Sequence, residues 1–209
     1  MKYTFTSLLF LALFMLFGCG DYGRDSQSNE GSDQKNKTKE HIQSAEITKE
    51  QKKELLNRGD SIAQVAFQTL SGELKNAMQR GGVKEAVKYC RVNAYPLTDS
   101  VGEQFGTELM RVAEKYRNPQ NALTDFDTEH FAAMKQGKQK MLVLHGGNAV
   151  FYKRIDLAPQ CLSCHGVPGK DIADTDYDFI KEKYPKDQAV NFKPGDLRGM
   201  WKITFPLSY

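Results

Sequence analysis

The chain has 209 residues, 40% of them hydrophobic, which suits one compact domain with targeting and tether segments attached. Its 29 basic and 26 acidic residues leave a formal charge of +3 and are spread along the sequence. No long basic run lies beside aromatic residues, and this excludes nucleic acid as an expected partner.

At the N-terminus, Lys2 supplies a positive start and Leu8 to Phe17 form an apolar run too short to span a bilayer. Residues 1–18 read as a lipoprotein signal peptide that is removed. Leu16, Phe17, Gly18 and Cys19 resemble a lipobox, in which a small residue before the cysteine lets the peptidase cut once the thiol carries diacylglycerol. Cys19 is then the lipidated mature N-terminus. Its acyl chains bury methylenes at about 0.8 kcal/mol each, so two or three of them hold a protein on a membrane. The competing reading is an ordinary signal peptide with an incidental cysteine. Residues 19–46 are rich in Gly, Ser, Asn, Gln, Asp and Lys, with almost no large apolar residue before Ile42, and read as a disordered tether. This leaves residues 47–209 as the folded domain. The expected location is the bacterial cell envelope, periplasmic or surface-facing.

Leu55, Ile62, Val65, Ala66, Thr69, Leu70, Leu74, Ala77 and Met78 recur at spacings near three and four, which predicts a long amphipathic helix ending near Gly81 and Gly82. A second helix follows, with Val83, Ala86, Val87, Cys90 and Ala94 on its apolar face, so Cys90 points inward. Beyond Pro96 the periodicity weakens. Thr107 to Ala113 suggest a strand before a turn at Asn118 and Pro119, and Thr124 or Asp125 caps a short helix to about Lys135. Met141 to Leu144 and Ala149 to Ile155 read as strands joined by a hairpin loop at Gly146, Gly147 and Asn148. A last strand shows in Trp201, Ile203 and Phe205 alternating with Lys202 and Thr204. Helices first and antiparallel strands later predict an α+β fold, with the N-terminal helices packed on a small antiparallel sheet.

Cys161, Leu162, Ser163, Cys164 and His165 form the C-x-x-C-H arrangement of c-type haem attachment. Its two cysteines are spaced to form thioethers with the two vinyl groups of one macrocycle, and the adjacent histidine reaches the iron. Pro159 before it and Gly166, Pro168 and Gly169 after it place the site in a loop. Two other chemistries use the same residue types. Zinc could be held by Cys161 and Cys164 with Cys90 and His145 or His165, and a C-x-x-C pair can be a thiol–disulfide centre, although the strand-then-helix context of that motif is absent. For the second axial ligand the residues leave several choices: His130 and His145, the thioethers of Met78, Met110, Met134, Met141 and Met200, and Cys90, which on an apolar helix face also reads as a small core residue. His41 falls in the tether.

From roughly Leu55 to Phe205 the chain resembles a family of bacterial c-type haem domains with a PAS-like fold, the Tll-like haem domains. The resemblance rests on Tyr89 and Cys90; on Arg117, Asn118, Pro119 and Asn121; on the run from Cys161 to Gly166; and on Tyr184, Pro185, Asp187 and Ala189 followed by Gly195 to Gly199. It implies one covalent haem c with iron held between His165 and Cys90. Asn191 departs from the family, which more often has glycine before the aromatic at Phe192, so the backbone there is expected to turn differently. Arg117 and Arg198 are candidate contacts for the haem propionates, because a guanidinium fork suits carboxylates.

A thiolate opposite histidine stabilises ferric iron, and six-coordinate iron leaves no position for substrate; with no paired carboxylates or nucleophile–base arrangement, no enzyme activity is expected. The function implied is a low-potential redox or gas sensor in which Cys90 leaves the iron on reduction. The alternatives are an electron-transfer cytochrome and, in another class, a structural zinc protein. Expected partners are the membrane through the lipid anchor, a separate redox or signalling protein, since no output segment is seen before Tyr209, and a small gas ligand.

Overall fold

The computed structural model describes residues 47–207. The signal peptide, Cys19 and the whole of the tether lie outside the described residues. Thr48 opens the domain by capping α1 (Lys49–Gln104): its hydroxyl accepts from the Gln51 backbone N–H, and the Gln51 side chain accepts in return from Thr48 N–H. The expected end at Gly81 and Gly82 is a break inside one long helix. Gly82 takes φ 65°, which lets the chain change direction and resume as helix.

Where the periodicity weakens, the structure differs from expectation: the helix runs on through Pro96 to Gln104. Proline removes a hydrogen bond to the carbonyl four residues earlier, here that of Val92. Both Pro96 and Val92 are exposed, so the freed carbonyl lies on the solvent side and the helix is tolerated.

Four strands follow: β1 (Glu108–Val112), β2 (Lys140–His145), β3 (Asn148–Asp156) and β4 (Leu197–Pro206). They form one antiparallel sheet in the order β1-β4-β3-β2. Gly146 and Gly147, both at positive φ, make the tight turn between β2 and β3. Alternation divides the sheet into two faces. One carries Leu109, Ala149, Phe151, Trp201, Ile203 and Phe205, and the first half of α1 covers it with Leu55, Ile62, Ala63 and Ala66. The other carries Val112, Val150, Tyr152 and Met200, covered by Phe131 and Met134 of α2 (Asp125–Lys135). This is the α+β arrangement expected, with the addition of a helix on the second face. Thr124 caps α2. The carboxylate of Asp127, fully buried, accepts from Tyr152 Oη at 2.6 Å and pairs with Lys202 Nζ at 2.9 Å, which ties the helix to β3 and β4. Burial pushes that carboxyl up, but the bonds from Tyr152, Lys202 and Thr124 outweigh it and hold it below the usual range. Among the described residues no helix is long and apolar enough to cross a membrane.

The first half of α1 lies close to the sheet because of Gly59. A Cβ there would come within 2.4 to 2.7 Å of the Phe151 ring. In an open helix interior Gly→Ala gains about 1 kcal/mol, whereas overpacking a filled core costs about 1–3 kcal/mol. Gly59→Ala should therefore lower Tm, and Gly72→Ala, where an added Cβ meets nothing within 4 Å, should raise it. Thermal melts of the two variants side by side check this; a raised Tm for Gly59→Ala would mean that the Phe151 ring yields.

Candidate haem site

The attachment motif is not irregular loop. Pro159–Cys161 form a 3-10 turn that runs into the single turn α3 (Leu162–His165). The motif cysteines are three residues apart, so their side chains come off one helical turn and meet different neighbours. Cys161 packs with Leu157, Ala189 and Phe192; Cys164 packs with Val83 and Val87 of α1 and with Ile172 and Ile180. Ile180 belongs to α4 (Asp174–Lys183), a helix that sequence reading missed. Ile180 is its single fully buried side chain, so no apolar stripe marks it.

Cys90, half-buried on the second half of α1, shares a face with Val83, Val87 and Ala94. Its charge bears on Cys164, and burial raises the pKa of both thiols, Cys164 to about 11. For Cys90 the charges of Arg111 and Arg117 oppose that rise. The thiols of a redox-active disulfide centre are instead shifted down. Among the described residues no group of three or more His, Cys, Asp or Glu is placed to hold a metal ion, so the zinc reading finds no ligand set.

His165 is held on both sides. Its Nδ1 lies 2.8 Å from the Ala189 carbonyl, its own carbonyl accepts from Phe192 N–H at 3.0 Å, and the Gly166 carbonyl accepts from Asn191 N–H at 2.9 Å. Burial, with the nearby charges of Arg117 and Arg198, pushes the imidazole well below its ordinary pKa, so the ring is neutral. A neutral ring that donates from Nδ1 to a carbonyl keeps the Nε2 lone pair for a metal.

Asn191, the departure from the family pattern, has φ 64°, the one positive φ at a non-glycine among the described residues. Asparagine tolerates that conformation better than most residues. The chain therefore makes here a left-handed turn of the kind that a glycine makes freely.

Arg117 and Asp187 anchor this arrangement. The Arg117 guanidinium reaches Asp187 through Nε at 3.2 Å and Nη2 at 3.3 Å, and Nη2 also donates to the Cys164 carbonyl. Asp187 has no exposed side-chain surface and accepts from Ala189 N–H at 2.9 Å as well. Arg198 donates from Nη1 to the Lys115 carbonyl at 3.0 Å, whereas its buried Nε has no partner. The other axial candidates lie elsewhere. His130 and His145 flank Phe126, at 4.7 and 3.8 Å between ring centroids, on the side of the sheet covered by α2. Met134, Met141 and Met200 belong to that same core, and Met110 lines a surface cavity. Met78 borders the cluster that holds Cys164.

A PAS-like α+β domain with a C-x-x-C-H turn between a helix cysteine and a buried arginine cluster is the class this geometry defines. The Tll0287-like family (Tll0287) matches residues 27–206, and the chain belongs to it. Among solved structures it is similar to the crystal structure of the cyanobacterial heme-protein Tll0287, with 28% identity and a TM-score of 0.57 over 74% of this chain and 96% of that one. No curated protein matches the sequence.

Removing one partner of a buried ion pair costs about 3–5 kcal/mol. Asp187→Ala, which leaves the Arg117 charge without its counter-ion and Ala189 N–H unpaired, should lower the urea midpoint by a corresponding amount. An exposed pair such as Lys135 with Glu114 should give about 1 kcal/mol or less when Glu114 is changed to Ala. Equal midpoints for the two variants would remove Asp187 from its structural role.

Proposed function

We propose that this protein is an exported, lipid-anchored c-type cytochrome with one haem attached through Cys161 and Cys164, and that it acts as a low-potential redox or gas sensor in the bacterial cell envelope. The observation that carries this reading is the His165 Nδ1 bond to the Ala189 carbonyl, next to two unpaired thiols on the same turn. It gives the motif histidine the tautomer and the fixed orientation an axial ligand needs. The fit extends to charge: Arg198 Nε is buried without a partner beside the same turn, as a site for an anionic group would require. When bound, the haem supplies a one-electron iron centre.

Each residue has a role in this reading. Cys161 and Cys164 hold the macrocycle covalently, and His165 supplies the proximal nitrogen. Cys90 is the distal ligand, supported by its place on the inward face of α1 with Val83 and Val87, the side chains that Cys164 packs against. Arg198 contacts a propionate, whereas Arg117, the other candidate, has Nε and Nη2 engaged with Asp187 and the Cys164 carbonyl. A thiolate ligand favours ferric iron, which places the potential below that of methionine–histidine ligation. The partner is a separate redox or signalling protein, and the ligand of the reduced state is a small gas.

Co-expression with cytochrome c maturation machinery should give a protein whose haem survives acid–acetone extraction and a denaturing gel, and Cys161→Ser with Cys164→Ser should abolish it. One equivalent of zinc without haem would overturn the assignment. Cys90→Ser should alter the ferric optical and electron paramagnetic resonance spectra and raise the potential, whereas unchanged spectra would return His130 or His145 to consideration. Ferrous wild type should take up carbon monoxide; if it stays six-coordinate and refuses the gas, electron transfer is the better account.

The lipid anchor is tested separately. Cys19→Ala should release the protein from membranes and abolish labelling by a radioactive fatty acid, and a variant that stays bound after alkaline washing with its label intact would end the lipoprotein reading.

A further inference from the structure

Three arginines reach the haem site from different parts of the chain. Arg111 comes from β1, Arg117 from the loop after it, and Arg198 from β4. Arg111 lies opposite Trp201 in the sheet register, so it stands on the face that α1 covers, as Leu109 does. That places its guanidinium between the sheet and the second half of α1. The three charges are mutually close: those of Arg117 and Arg111 bear on Arg198, and all three bear on His165.

Of the three, only Arg117 makes an ion pair with a carboxylate. Among the described residues no ion pair is made by Arg111 or Arg198. The titratable groups that face Arg111 are Cys90, Tyr95 and Tyr184, and neither phenol supplies an anion. Burial pushes Tyr184 up to about 12, and Tyr95, also raised by burial, donates its hydroxyl to Asn121 Oδ1. Arg198 has the face of Phe192 at 5.5 Å, where Lys115 Nζ also sits at 4.4 Å, so its surroundings add positive charge. Burial, with the charges of Arg117 and Arg111, pushes Arg198 down to about 9. Neither half-buried guanidinium thus has an ion pair of its own: the carboxylate that bears on Arg198 is that of Asp187, which Arg117 already holds, and beside the phenols Arg111 faces the Cys90 thiol, which burial holds toward its protonated form. An entering anion of matching charge offsets that cost.

We infer that Arg111 and Arg198 form the seat for the two haem propionates, one carboxylate to each guanidinium. The inference rests on the haem reading above and adds Arg111 of β1 to the site. Two guanidiniums without an ion pair of their own meet two carboxylates, and the guanidinium fork gives each a bidentate partner. Arg117 is set apart by its bonds to Asp187 and the Cys164 carbonyl, which make it the clamp of the attachment turn.

The test uses the ferric holoprotein. Arg111→Gln should shift one propionate bending band in the resonance Raman spectrum, Arg198→Gln the other, and the double variant both, with haem content unchanged in a pyridine haemochrome assay. Haem present at full content with no band moved in Arg111→Gln would overturn the seat and leave the haem reading standing; a wild type without covalent haem would overturn both. A second measurement needs no variant. In wild type carrying haem labelled with carbon-13 at the propionates, infrared spectra should place the carboxylate stretches at frequencies of arginine-bound groups. Water-solvated frequencies for both would equally rule the seat out.

Discussion

The bond network of one carboxylate holds the site together. Asp187 is buried, accepts twice from Arg117 and once from Ala189 N–H, and thereby fixes two segments that the chain keeps 70 residues apart. Through Arg117 the same network reaches the Cys164 carbonyl at the end of the attachment turn. The Ala189 carbonyl then meets His165, and Asn191 and Phe192 bond the backbone of Gly166 and His165. A one-turn helix has too few internal bonds to hold an imidazole in place by itself. Here the orientation of His165 is imposed from outside, by a segment that is itself pinned at Asp187.

The scaffold separates stability from chemistry. One face of the sheet packs with the first half of α1 and the other with α2, in two apolar clusters that contain none of the motif cysteines. The site is assembled beyond them, where the second half of α1, α3, α4 and the segment around Ala189 meet. The rigid elements supply Cys90 and two of the arginines, and the loops supply the groups that close around them. Positive charge collects where the sheet ends, so the domain is built around an electrostatic demand as well as an apolar one.

Much of the fold was legible in the sequence, because its elements obey simple periodicities. The strands, the Thr124 cap, the turn at Gly146 and Gly147, and the interruption at Gly81 and Gly82 all lie where local chemistry puts them. Two elements were not readable for opposite reasons. Pro96 signals a stop, but its exposed position lets the helix continue; α4 buries a single side chain fully and so has no stripe. At the site, the spacing of Cys161, Cys164 and His165 speaks for itself, whereas Asp187 and Ala189 stood out only through family resemblance. Arg111 carried no signal at all, since a charged residue in a strand normally faces water. Its significance comes from which side of the sheet β1 presents to α1, and strand order is not written in local sequence.

The break at Gly81 and Gly82 also sets the phase of the second half of α1. An α-helix turns by about 100° per residue, so along an unbroken helix the angular position of Cys90 would be dictated by counting from Ile62 and Ala66. With the left-handed Gly82 between them, the count restarts. The sheet-packing half and the cysteine-bearing half can each settle against their own neighbours, and residues gained or lost at the junction can be absorbed there. The same change between Val83 and Cys90 would swing the thiol away from Cys164 while leaving the sheet core untouched. The eight residues from Val83 to Cys90 thus act as a ruler for the domain.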